Sequence, residues 1–166
     1  SSGSAANIRN VSAWLLASTR ACDSVVADVR LNAVTRISHA RLLAVAIELR
    51  TDLKKADKTK LLSTWEKITF RIYGMLDHDA RTRVGEYVRL AWRVINEKLP
   101  PASIKKELVS IGRGFPIEEA VENLRAANCY EGWEGELRYL MFRYEEHLSK
   151  QQGMKFKSEQ WARIWA

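Results

Sequence analysis

Glu145, Glu146 and His147 stand side by side within the stretch Glu136 to Gly153, and residues of these types can do acid–base work or hold a metal ion. An imidazole beside two carboxylates offers a proton donor and acceptor, or nitrogen and oxygen ligands. The spacing argues against both. The surrounding pattern is helical, and consecutive residues of a helix lie ~100° apart, so three in a row cannot converge on one atom. A helical zinc pair needs another ligand three or four positions from His147, where Arg143, Tyr144, Lys150 and Gln151 stand instead. The expectation is a structural helix with Leu137, Leu140, Met141, Tyr144 and Leu148 as its core face. Glu146 then points nearly opposite with Tyr139 and Arg143, and Phe142 also lies off the core stripe. Aromatic surface on a second face, at Tyr139 and Phe142, suits either a fully embedded helix or a surface awaiting a neighbouring domain.

Elsewhere little chemistry converges. His39 and His78 are isolated, and Asp77 and Asp79 beside His78 are explained as helix caps. No serine or cysteine sits in a nucleophile elbow, and no glycine-rich phosphate loop opens a helix. Gly112-Arg113-Gly114 is too short for one and reads as a turn. Neither a catalytic residue nor a metal ligand is assigned. The basic candidates for polyanion contact are Arg81, Arg83, Arg89, Arg93, Lys98, Lys105, Lys106 and Arg113. Arg89 and Arg93 share the outward face of one helix, but Glu86 lies three residues before Arg89 and Glu97 four after Arg93, spacings that compensate their charge. Lys105, Lys106 and Arg113 are less compensated and are the preferred contacts, for weak and non-specific binding to DNA. Trp14, Trp65 and Trp92 accompany apolar stripes, which favours core positions over base stacking.

The elements that must position these residues read at helical period nearly throughout. Ala6 to Ser18 forms a first helix with Ile8, Val11, Leu15 and Leu16 on one side. Ser38 caps a strongly apolar helix reaching about Arg50, the kind found at the centre of a bundle. Cys22 to Ile37, between them, has no clear period. Asp57 opens a helix carrying Leu61, Leu62, Trp65, Ile68 and Ile72 to a stop near Gly74. Asp77 or Asp79 caps a long helix to Leu99, with Val84, Val88, Ala91, Ile95 and Leu99 as its inward stripe, ended by Pro100-Pro101. A short helix follows through Ile104 and Leu108. Another starts at Pro116 and fades at Asn128, before a break over Glu131 to Gly135. Ser158 caps a last helix with Trp161, Ile164 and Trp165 on one face. No alternating run is long enough for a sheet, so the class is all-α, a bundle of seven to nine helices.

Composition bounds the rest. The 166 residues suffice for one domain or two small ones, and 46% hydrophobic with 28% charged residues is ordinary for a globular protein. The longest apolar run, Leu42 to Ile47, is far short of the ~20 residues of a membrane span. Two cysteines without metal spacing, Cys22 and Cys129, fit a reducing compartment, and the cytoplasm is expected. The net charge of +7 is uneven: residues 1–60 carry ten Lys/Arg against five Asp/Glu, 61–113 ten against six, and 114–166 seven against nine. With residues 1–4 (SSGS) set aside as an expression scar, this divides the chain into a basic helical bundle, 5–113, and an acidic, aromatic-rich segment, 114–166, packing on it. The stripe at Trp161 to Trp165 meets Ala166 with no glycine or basic last turn, so the native polypeptide is expected to continue.

From Leu137 to Trp165 the order is an aromatic helix Leu-Arg-Tyr-Leu-Met-Phe-Arg-Tyr-Glu-Glu-His-Leu, a Gly-Met-Lys-Phe-Lys spacer, then Trp-Ala-Arg-Ile-Trp. This resembles the helical region of GmrSD-type restriction endonucleases, which joins a ParB-like nucleotide-hydrolysing domain to a C-terminal His-Asn-His nuclease domain. The chain has neither catalytic motif, so no catalytic residue carries over. The resemblance implies a non-catalytic connector in a phage-defence enzyme, with flanking domains of the same polypeptide as partners. A nucleotide and a divalent metal are implied for the parent protein, and no cofactor for this chain. On that resemblance Tyr139, Phe142, Trp161, Ile164 and Trp165 dock against the nuclease domain. A stand-alone helical protein-interaction module is the alternative, from a different functional class.

Overall fold

The computed structural model of the chain describes residues 2–32, 36–128, 131 and 134–156, and these are helix and connecting turn, with no strand among them. The α-helices are α1 (Ser2–Ala27), α2 (Val29–Asn32), α3 (Ser38–Leu49), α4 (Lys55–Thr69), α5 (Val84–Asn96), α6 (Pro101–Ile111), α7 (Ile117–Ala126) and α8 (Glu134–Gln151). A π-helical turn, Phe70–Met75, continues α4. The all-α class and the expected range of helix number hold. No helix among the described residues is long and apolar enough to cross a membrane.

α3 is the central helix, as its near-absence of a polar face predicts. It buries His39, Ala40, Leu43, Ala44, Ala46 and Ile47, and packs on α1, α4 and α5. Its alanines bring α5 close. It begins at Ser38 itself, with Ile37 at the cap position and no side-chain cap. At its end Arg50 turns the chain, and its buried guanidinium donates to the carbonyls of Val94 (2.7 Å) and Leu99 (3.1 Å) and to the Asp52 carboxylate. The first bond satisfies a carbonyl in the last turn of α5, which has no intrahelical partner, and the second ties down the segment that follows. On α4, Leu61, Leu62, Trp65 and Ile68 face inward, and the Trp65 indole N–H donates to the Ala40 carbonyl at 2.9 Å.

Several expected faces are different. α5 starts at Val84, not Asp77 or Asp79, because the Asp79 carboxylate closes a turn by accepting the Arg81 N–H (2.7 Å) and Arg83 adopts a left-handed backbone, φ 59°. It ends at Asn96, before Leu99, because Lys98 takes a left-handed backbone, φ 50°, that no helix continues through. Its buried residues are Tyr87, Leu90, Ala91 and Val94, while Val84 and Val88 are exposed. Tyr87 rotates the stripe: its ring is fully buried and its hydroxyl meets the Thr69 hydroxyl at 2.9 Å.

α8 is rotated relative to the expectation, with Leu140 of the expected stripe still packed against the core. Tyr139 and Phe142 are buried, at 7% and 3% exposure, while Met141 and Tyr144 of the expected core stripe face outward. Of the two arrangements that the second aromatic face allows, this is the embedded one. α1 runs further than predicted, into the unassigned segment as far as Ala27, and Ile8, Val11, Leu15 and Leu16 are exposed. Of the three tryptophans expected in the core, Trp65 is fully buried, whereas Trp14 and Trp92 are each 59% exposed.

Candidate nucleic-acid interface

α6 organises the cationic face. Pro101 at its first position has no N–H to leave unpaired and holds the φ that a helix start requires. Ile104, Leu108 and Ile111, at spacings of four and three, are its buried residues. Lys105, Lys106 and Ser110 are therefore exposed, and neither lysine forms an ion pair among the described residues. α4 packs on one side of α6 and α5 on the other, so a groove runs along each flank.

The α4–α6 groove, about 510 Å³, is lined by Lys60, Ser63, Thr64, Pro101 and Lys105, with Asp57 as its acidic residue. The Thr64 hydroxyl is already committed, donating to the Lys60 carbonyl at 2.9 Å. The two ammonium groups and the Ser63 hydroxyl remain as donors toward an anion, a set that suits phosphate oxygens, which lysines and hydroxyls contact without reading bases.

The α5–α6 groove, about 330 Å³, holds Arg83, Arg89 and Arg93 with Glu86 and Glu107. Arg83 donates to Glu86 (2.8 Å) and to the Arg113 carbonyl (3.0 Å), and its guanidinium lies 5.4 Å from the centre of the Phe115 ring. That hydrogen bond holds the Glu86 carboxyl below its ordinary range. Arg93 donates to Glu97 (2.9 Å) and to Glu107 (3.0 Å), contacts that raise its own pKa. Arg89 lies over Gly85, where an added Cβ would meet its Nη1 at 3.1 Å, and it has no ion pair among the described residues.

The five cations expected to contact DNA thus sit on α5, α6 and the turn that follows. Lys105, Lys106, Arg89 and Arg113 are exposed, the last in the turn at Gly112–Gly114. Arg93 is neutralised by two carboxylates, one of them Glu107 from α6, which no local spacing on α5 reveals. Lys60 was missed, because it belongs to a different segment and only the packing of α4 on α6 brings it to Lys105.

Glu145, Glu146 and His147 form no centre. His147 is exposed, and Glu146 pairs with Arg143 and with Arg30 (3.6 Å). The buried side of α8 instead meets Glu66. The Tyr139 hydroxyl donates to Glu66 Oε1 at 2.5 Å, and Arg143 Nε lies 3.5 Å from the same oxygen. Burial raises the Glu66 carboxyl above its usual range, and burial likewise raises the Tyr139 hydroxyl. His39, buried against Tyr73 and Tyr87, has its pKa lowered by burial, and its Nε2 lies 2.9 Å from the Tyr73 hydroxyl. Among the described residues no three His, Cys, Asp or Glu side chains cluster as a metal site would need. Trp161, Ile164 and Trp165 lie outside the described residues. No protein-family model, curated protein or solved structure matches the chain.

Proposed function

We propose that the chain is a non-catalytic helical connector of a DNA-restricting endonuclease, working in the cytoplasm, with its α6 face against the DNA backbone. The observation that carries this reading is the grouping around α6 of the exposed cations Lys60, Lys105, Lys106 and Arg113, which form no ion pair among the described residues, with Arg89, which is near Glu86, on the other flank. Lysine and hydroxyl donors along a groove position a duplex without selecting its sequence. The nuclease and nucleotide-hydrolysing activities belong to flanking domains implied by the resemblance at Leu137 to Trp165, and their nucleotide and divalent metal with them. The connector's part is to hold those domains and the DNA in register. The alternative, a stand-alone helical protein-interaction module, draws on a different feature, the exposed apolar face of α1.

The test is duplex binding by the chain between about 50 and about 200 mM salt. The expected result is weak, non-specific binding whose logarithm falls linearly with the logarithm of salt concentration. Replacing Lys105, Lys106 and Arg113 together by Ala should weaken it and make the slope shallower, by up to about 0.9 for every phosphate no longer neutralised. All three side chains are exposed, so the fold should survive, with circular dichroism as the control. Equal affinity and slope in parent and variant would overturn the α6 interface. No binding at the lowest salt would overturn DNA contact altogether and leave either the interaction module or a connector that does not touch DNA.

A further inference from the structure

Residues 6–17 of α1 are exposed on every side of the helix. α1 has 26 residues and its packing partner α3 has 12, so at 1.5 Å per residue α1 outruns α3 by about 21 Å. Along α1, Ile8, Val11, Leu15, Ser18, Cys22 and Val25 recur at alternating spacings of three and four, the a and d positions of one continuous seam. The C-terminal half of that seam is covered: Val25 is fully buried in the core, and Ser18 and Cys22 are half-buried. The N-terminal half is bare. Ile8, Val11 and Leu15, with Trp14 and Leu16 beside them, are each more than half exposed. The apolar patch they form is on the order of 500 Å², toward the upper end of what monomers carry.

We propose that this stripe is a self-association surface, covered in solution by the same stripe of a second copy in an antiparallel pair. The bare seam continues, in register, one that already packs helix against helix within the chain. Its flanks favour a like partner. Ser12, Trp14, Thr19 and Ala21, beside the seam, are uncharged, and Arg9 and Arg20 lie off it, so two arms meet without like charges in contact. Two such patches together bury no more than about 1,000 Å², the size of a weak, reversible contact, which is why the pairing is sought in the micromolar range. Antiparallel pairing follows from bulk: the bundle sits at the C-terminal end of each α1, and this arrangement keeps the two bundles at opposite ends. Val11 of one copy then lies over Leu15 of the other, the two bare positions nearest the middle of the arm.

Sedimentation equilibrium of the full chain over the micromolar range tests this. A concentration-dependent monomer–dimer equilibrium is expected. Leu15→Glu and Val11→Glu, each placing two carboxylates in the paired seam, should weaken it at least tenfold (about 1.4 kcal/mol) at unchanged helical content. Trp92→Glu, which alters an exposed apolar residue on α5, should leave it unchanged. A chain that stays monomeric throughout overturns the proposal and assigns the stripe to another occupant. So does a dimer that both seam variants leave intact.

Discussion

Glu66 takes a carboxylate into the interior beside Trp65, and its surroundings determine when it ionises. Burial lifts its pKa above the ordinary 4.5, against the opposing pull of the Tyr139 hydroxyl and Arg143. In the window above pH 4.5 the folded chain therefore holds a proton that the unfolded chain has released. Stability from this group is full below 4.5 and is lost as pH rises through the folded value. Glu66→Gln should flatten that loss, seen as a smaller fall of Tm with pH above 4.5 by circular dichroism. Identical slopes in parent and variant would mean that Glu66 ionises at its unfolded value. Tyr139→Phe removes the hydroxyl donor and should cost about 1–3 kcal/mol in urea unfolding, because the buried carboxylate loses its closest partner. None of this was legible locally. Glu66 reads as one more helix charge until α8 is laid against it.

At the scale of the element, helical period correctly placed most helices, and the orientation of two was misread. On α5 a stripe counted on aliphatic residues alone passes over Tyr87, the largest side chain that helix buries. On α8 there is apolar surface on both sides, so period cannot choose between them. The Glu66 carboxylate and the Phe70 ring, 4.2 Å from that of Tyr139, draw the aromatic side inward. The tryptophans give a direct comparison. Trp65→Ala should cost about 3–5 kcal/mol, since it empties a fully buried site and removes a donor from the Ala40 carbonyl. Trp92→Ala should shift stability by no more than about 0.5 kcal/mol. Urea denaturation of the two variants separates these outcomes, and a Trp92 variant as unstable as the Trp65 one would contradict the face assigned to α5.

Across the whole molecule, one core runs from Val25 through α3, α4, α5 and α6 to Phe115 and Tyr139, while the first half of α1 stands clear of it. Removing residues 1–17 should accordingly leave Tm within a few degrees of the parent, because those described from residue 6 onward bury nothing in the core. The same truncation should abolish self-association. A truncated chain that melts far below the parent would show that the arm supports the bundle. The cationic face is a property of the same scale: Lys60 and Lys105 come from two helices and meet only through the packing of α4 on α6, while Arg89 lines the groove on the other flank of α6.

The sequence by itself determined the all-α class, the central place of α3 and a short helix after Pro100-Pro101, because those depend on local terms: spacing of apolar residues, proline's interruption of a helix, and the lack of alternating strands. It also contained the start of the α1 seam, Ile8, Val11 and Leu15, while its continuation through Cys22 to Val25 emerged only with the run of α1 to Ala27. Tertiary structure decided which half of that seam is covered, which face of α8 is inside, and which arginines are neutralised across helices, as Arg93 is by Glu107. Those outcomes turn on what lies opposite a side chain, and a buried carboxylate, an aromatic ring or a short neighbouring helix outweighs the pattern of the helix that meets it.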